Sequence, residues 1–292
     1  MATLRDVLQK IEAVKKTGQI TKAMYMVATA KLRGAQGRME SFEPYASKFA
    51  EVLGHLESRI QPDFHPLLQK KAQVSKVELL HLSADRGLCG SFNTNSISMA
   101  EKWIRDKQSR GIEYSLTTVG KRGKDYFGKR DYNITESYTD VYGNINFSFA
   151  NTMTSNFIDR YIQDEIDEVY MMYTHFVTVA HQQTTLVRLI PIAPPKKDEQ
   201  DELDAAAYLY EPSAQGLLIE LLPKHISVQI LNAFFQNETS EHAARMASMD
   251  NASRNCNDMI ENLTLAYNKA RQAAITAELM DIVGGAEALK GA

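Results

Sequence analysis

Residues 4–60, LRDVLQKIEAVKKTGQITKAMYMVATAKLRGAQGRMESFEPYASKFAEVLGHLESRI, decide the architecture. Stepping alternately by three and four from Leu4 meets Val7, Ile11, Val14, Gly18, Thr21, Tyr25, Ala28, Leu32, Ala35, Met39, Phe42, Ala46, Phe49, Leu53, Leu56 and Ile60. Nearly every position is apolar or small, which makes this a heptad seam. Pro44 removes one backbone donor and crowds the preceding turn, yet the phase continues across it, so the spacing predicts a kinked but continuous helix. At 1.5 Å per residue that helix is about 85 Å long. No compact body of this mass can bury it along its whole length.

The C-terminal stretch supplies the matching partner. Stepping back from Met280 by the same rule meets Ala277, Ala273, Ala270, Ala266, Leu263, Met259, Cys256, Ala252, Met249, Arg245, His242, Glu238, Phe235, Leu231 and Val228. No Pro or Gly interrupts the run from Ile226 until Gly284, enough for a second rod of about 88 Å. The alanines leave little volume on the seam, so the two helix axes can approach closely. Two rods from opposite ends of one chain, with a folded body between them, are expected to pair as an antiparallel coiled coil.

The rest of the composition agrees with long uninterrupted elements: 15 Gly and 8 Pro in 292 residues leave few breakers. Two distant cysteines, Cys89 and Cys256, exclude a disulfide framework and an all-cysteine metal site. A net charge of -3 argues against a generally basic nucleic-acid binder. The sign is nonetheless uneven. Residues 1–40 carry Arg5, Lys10, Lys15, Lys16, Lys22, Lys31, Arg33 and Arg38 against three acids, a basic face suited to an acidic partner. No apolar run approaches the roughly 18 residues that span a bilayer, and MATLRDVLQK is not a secretory signal.

Between the rods the periodicity changes. Val77 to Asp85, VELLHLSAD, is the short apolar run of a buried parallel strand. A helix from about Asn95 to Ser109 follows, then a strand near Tyr114 to Val119, helices near Lys121 to Lys129 and Phe149 to Asp167, and β-rich runs at Val169 to Thr178 and Thr184 to Ile192. Strands alternating with helices indicate a small doubly wound α/β sheet. Pro194, Pro195 and KKDEQDELD read as an exposed acidic loop, with Ser213 the N-cap of the returning helix. The expected divisions are therefore 1–60 for the first helix, 74–195 for a central doubly wound α/β (Rossmann-like) domain, 196–212 for the loop and 213–292 for the second helix. The fold class is a mixed α+β and α/β one.

Little in the chain points to bond-making chemistry. Asp85-Arg86-Gly87-Leu88-Cys89-Gly90 follows the first strand, where such a sheet places a ligand crevice, but it is neither G-x-G-x-x-G nor a phosphate loop. A tight structural turn is the better reading, and Cys89 reads as a packing thiol because no local signature supplies it with a base. The seven histidines lack metal-ligand spacing. At the far end of the second rod Arg271, Gln272, Thr276 and Glu278 precede a slim apolar tip, Ile282-Val283-Gly284-Gly285-Ala286, which would suit insertion into a sleeve.

Four stretches carry a resemblance: ITKAMYMVATAKLRGAQ (20–36), SADRGLCGSFN (83–93), SEHAARMASMDNAS (240–253) and LTLAYNKARQAAITAELMDIVGGAEAL (263–289). They closely resemble the γ subunit of F-type ATP synthases. The match is collinear and covers both ends and the first strand, while the middle, roughly 100–210, rests on its α/β pattern. Ser91 stands where the family usually has Gly in GLCGGFN, and the regulatory dithiol insertion of chloroplast relatives is absent.

The resemblance implies a central shaft whose coiled coil threads the ring of α and β subunits, one copy per three αβ pairs. Its foot joins the ε subunit and the membrane c-ring. Proton flow would turn it, while ATP is made on the β subunits; this chain would hold no nucleotide, cofactor or metal and bind no nucleic acid. Carried over by motif, Arg271, Gln272, Thr276 and Glu278 would meet acidic β loops, with Met24 and Arg245 on the facing shaft surface. Leu279, Ile282, Val283 and Leu289 would turn within an apolar bearing. With Met1 and no leader, the expected place is peripheral, on the cytoplasmic face of a bacterial plasma membrane. Two other classes compete: a non-rotary coiled-coil scaffold with an α/β body, and an enzyme using that body as a cofactor domain.

Overall fold

The computed structural model describes residues 4–57, 64–192 and 213–290. The expected acidic loop, 196–212, and Ile60 lie outside them. Helix α1 spans Leu4–Glu57, 54 residues that run on through Pro44. Every seam position from Leu4 to Leu56 is buried or half-buried, with Ala28, Leu32, Ala35, Met39, Leu53 and Leu56 at 5% exposure or less. The periodic face, and not helix propensity, is what holds so long a helix in place. The C-terminal helix, called α5 below, spans Ala214–Lys290, 77 residues with Pro223 inside. The Ser213 hydroxyl caps it by accepting from the Gly216 N–H at 3.1 Å.

The chain forms two compact units, Met1–Ala28 with Met246–Ala292, and Thr29–Arg245. In the first, α1 and α5 pair through small residues: a β-carbon placed on Gly18 would stand 3.3 Å from Cys256 Cβ. From Cys256 onward the covered positions of α5 here are Cys256, Ile260, Leu263, Tyr267, Ala270 and Ala274. The expected seam had Met259, Ala266 and Ala273 in the alternate places; all three are exposed. Past Cys256 the step of four comes before the step of three, which turns the buried face by one residue at every second position.

In the second unit the two helices run antiparallel beside a sheet. As α1 advances through Arg38, Phe42 and Phe49, its contacts on α5 retreat through Glu238, Phe235 and His225. The sheet has five strands in the order β3-β2-β1-β4-β5: β1 (Lys76–Leu82), β2 (Glu113–Val119), β3 (Ile134–Tyr138), β4 (Glu168–Phe176) and β5 (Gln182–Ile190). The first four are parallel and β5 is antiparallel to β4. Helices α2 (Phe92–Ser109), α3 (Lys121–Gly128) and α4 (Phe147–Ile162) make the crossovers. Strand β3 was not expected; ITESY is a five-residue edge strand with alternating half-exposed and exposed side chains.

Alternation along β1 divides the core. Val77 and Leu79 face α2 and α3, among Ile97, Ala100, Trp103, Ile104 and Phe127. Leu80 and Leu82 face Met153 and Phe157 of α4, Leu222, Ile226 and Phe234 of α5, and Leu53 and Leu56 of α1. Fully burying each of these side chains is worth about 1.5–3 kcal/mol. Two polar groups interrupt that strand. Glu78, fully buried, accepts from the Ser115 hydroxyl, from Thr117 Oγ1 at 2.7 Å and from Arg160 Nη2 at 3.0 Å. His81, also fully buried, meets Ser96 Oγ through Nε2 at 2.8 Å.

Strand β4 outruns its neighbour. Pairing between β1 and β4 stops at His81–Met172, so the backbone of Thr174 and Phe176 lacks a strand on that side. Helix α5 supplies the missing partners: Asn237 Oδ1 accepts from Thr174 N, Gln236 Oε1 accepts from Phe176 N, and Ser240 Oγ donates to Thr174 O, at 3.0–3.1 Å. Buried backbone groups must be paired, and this explains why a polar run, QNETSEH, is buried in mid-helix. It also places α5 in the crevice beyond β1 and β4, where the strand order reverses and a doubly wound sheet would otherwise receive a ligand.

Candidate partner-contact surfaces

The loop after β1 is pinned from three sides in the second unit. Asp85 Oδ1 accepts from Lys121 N at 2.9 Å and Asp140 N at 3.1 Å. Asn93 accepts from Ala84 N through Oδ1 and donates to Cys89 Sγ through Nδ2. From α5, the Arg245 guanidinium donates to Arg86 O at 3.3 Å and Gly87 O at 3.2 Å while pairing with Glu241 at 2.6 Å. The loop's polar groups and carbonyls are thus committed to holding its own shape. Burial raises the Cys89 thiol pKa, with Arg245 opposing, so the thiol stays protonated, as a packing residue does.

A cleft of about 360 Å³ opens beside this loop, lined by Lys31, Arg38, Arg86, Arg245, Glu238, Glu241 and others. Its floor is a charge network. Arg38 reaches Glu238 at 2.9 Å, and His242 lies 3.1 Å from Glu241 and 3.9 Å from Glu238. Burial holds His242 near pKa 4, with Glu238 opposing and Arg245 assisting, so it is neutral at pH 7. Beneath, the Tyr142 hydroxyl accepts from Asn237, and burial raises it well above its usual value. Sequence reasoning placed Glu238 and His242 on the seam but missed this network, because Arg38 comes from α1 and Tyr142 from a loop, both far away in sequence.

Arg245 was expected on a partner-facing surface. Its side chain is 11% exposed and its donors are engaged within the chain. In the first unit the other expected contacts do face solvent: Arg271, Gln272, Thr276 and Glu278 are exposed and Met24 is half-buried. The Thr276 hydroxyl donates back to Gln272 O at 2.9 Å, which leaves its oxygen lone pairs as acceptors.

Beyond Ala274, the last covered residue, every described side chain from 275 to 286 is exposed. Leu279, Ile282 and Val283 are 57%, 68% and 61% exposed, joined by Met280 at 69%. An apolar patch of this kind on a water-facing helix marks a surface that another molecule covers. The helix itself runs to Lys290, but the Leu289 side chain lies outside the described ones. Among the described residues no helix is long and apolar enough to cross a membrane, and no group of three or more His, Cys, Asp or Glu could hold a metal ion.

Comparison with known proteins places this arrangement. Residues 3–289 match a family model described as ATP synthase. The chain is 50% identical over 291 residues to the ATP synthase gamma chain of Syntrophobacter fumaroxidans, covering 99% of this chain and 100% of that one. It is 49% identical over 292 residues to the gamma chain of Maridesulfovibrio salexigens, with 100% of each covered. Among solved structures it is similar to the rotor of the Euglena gracilis mitochondrial ATP synthase in rotational state 1, with TM-score 0.64, 22% identity and coverage of 93% and 98%. The central stalk and c-ring of the Tetrahymena thermophila enzyme gives TM-score 0.59 at 22% identity, covering 80% of this chain and 99% of that one.

Proposed function

The chain belongs to the ATP synthase gamma-chain family, and from that membership we infer that it is the central rotor shaft of an F-type ATP synthase. It couples proton flow through the membrane c-ring to ATP synthesis on the head of α and β subunits, by rotation. The chain itself makes no bond; the β subunits do the chemistry. It sits once per three αβ pairs, with the ε subunit and the c-ring at its foot, peripheral to the cytoplasmic face of a bacterial plasma membrane.

The observation that carries this reading is the bare end of α5: twelve consecutive exposed positions, 275–286, of which all but Thr276, Glu278 and Asp281 are apolar or small where a lone helix in water should be mostly polar. Leu279, Ile282, Val283 and Leu289 would turn in an apolar bearing, where contacts without directional bonds give little resistance to rotation. Arg271, Gln272, Thr276 and Glu278, with Met24, would meet the acidic loops of β. A shaft drives a β subunit from one state to another only through contacts that differ in free energy between those states. Each tenfold shift in population needs about 1.4 kcal/mol, within the reach of one or two charge-assisted hydrogen bonds.

Native mass spectrometry of the chain reconstituted with purified α and β subunits tests the reading. The expected mass is that of one chain bound to three αβ pairs. Three chains per ring, as a scaffold on each pair would give, refutes it.

A further inference from the structure

The helix at the tip of α5 has no tertiary support. Ala274 is the last covered residue, and no described side chain from 275 to 286 is even half-buried. A helix in a folded protein draws most of its stability from packing one face, and propensity alone leaves segments shorter than about 12–15 residues marginal in water. The stretch ITAELMDIVGGAEALK, 275–290, therefore stands on its propensity.

That propensity is poor. Ile275, Thr276, Ile282 and Val283 are β-branched and lose side-chain freedom in a helix. Glu278 and Asp281 repel each other at i,i+3, and neither has a cation three or four residues away on either side. Gly284 and Gly285 then stand together inside the helix, each about fourfold to fivefold less favourable there than alanine. A β-carbon on either would meet nothing within 4 Å, and neither has a positive φ. Close packing within the chain and a left-handed backbone thus give no reason for glycine at these positions. What is left is its effect on the helix.

We propose that residues 275–290 become helical only when the sleeve of α and β subunits covers them, and that Gly284 and Gly285 set the cost of that ordering. This rests on the shaft reading, which puts the tip inside an apolar bearing. The head gains the apolar contacts of Leu279, Ile282 and Val283 less the cost of ordering the segment that carries them, so it holds the tip loosely. Loose holding is what a bearing needs.

Hydrogen exchange read by mass spectrometry tests this on the full-length chain, free and bound to the purified head of α and β subunits. In the free chain the amides of 275–290 should exchange like those of an unfolded peptide while those of the covered stretch 249–263 are protected. In the complex both stretches should be protected. Protection of 275–290 in the free chain equal to that of 249–263 overturns the proposal and leaves the shaft reading standing. Fast exchange of 275–290 in free chain and complex alike contradicts insertion of the tip, and the shaft reading with it. The glycines have their own variant, Gly284→Ala with Gly285→Ala, which makes the helix about twentyfold more favourable. Its free tip should exchange several-fold more slowly than the parent's, and its affinity for the head should rise by up to about twentyfold. Exchange equal to the parent's overturns the assignment to the glycines; slower exchange without tighter binding overturns the coupling of order to binding.

Discussion

Gly18 of α1 faces Cys256 of α5 so closely that a β-carbon on the glycine would lie 3.3 Å from the cysteine Cβ. Disulfides need Cβ atoms about 3.5–4.5 Å apart, within a few tenths of this approach. Gly18→Cys should therefore form an intramolecular bridge to the native Cys256 on mild oxidation. Peptide mapping under non-reducing conditions reads it directly. Linkage to no cysteine, or to Cys89, would contradict the pairing of the two helices in this register.

The buried pair Glu78–Arg160 holds β1 to α4. Arg160→Ala strands a carboxylate that is 0% exposed, so unfolding should become easier by about 3–5 kcal/mol. Replacing both, as Glu78→Leu with Arg160→Met, should recover most of that loss. Urea denaturation measures both, and an Arg160→Ala midpoint equal to the parent would show that the pair contributes nothing.

How far the sequence reveals the fold depends on how local the cause is. The seam of α1 is legible because its covered residues are apolar or small and recur at fixed spacing on one helix. On α5 the same reading slips at Met259/Ile260, Ala266/Tyr267 and Ala273/Ala274, where two neighbours are both apolar or small and the pattern cannot choose between them. Strand β3 is invisible because an edge of five residues whose covered face is Ile134, Glu136 and Tyr138 has a charge in the middle of it and too short an alternation to announce a strand. The polar run of α5 is buried because β4 outruns β1, a consequence of register between distant segments. Leu88 could be found in the sequence only as a large residue between glycines in a turn; its left-handed backbone emerges from Asp85, Asn93 and Arg245 acting together.

Two pH windows should separate. Burial holds His81 and His225 near pKa 4, with the Ser96 contact opposing at His81, and His242 lies near the same value. The unfolded chain takes up protons at these sites near 6.5, so their contribution is complete above that pH and is lost as pH falls toward 4. Asp167 follows at lower pH. Burial raises its carboxyl, but the N–H groups of Ser75 and Lys76, with Lys71, outweigh this and hold it at about 2. Its stabilisation, about 2 kcal/mol, is present above about pH 4 and disappears as pH falls through 2. Denaturation followed against pH should show His225→Leu flattening the upper window. Asp167→Asn should be weaker at pH 7 and converge on the parent near pH 2. Parallel curves for parent and variants would contradict both assignments.

The paired substitution Arg271→Ala with Gln272→Ala removes exposed groups without disturbing the covered seam. Assembly with α and β should survive, while ATP turnover by the complex falls about tenfold, the value of one or two charge-assisted hydrogen bonds. Turnover equal to the parent would make these contacts incidental.

The shaft role itself is tested by watching the chain move. With the head fixed to a surface and a bead attached through Ser109→Cys, at the exposed end of α2, ATP should turn the bead in one direction in steps of a third of a revolution. A bead that stays still while the same complexes hydrolyse ATP would contradict the account.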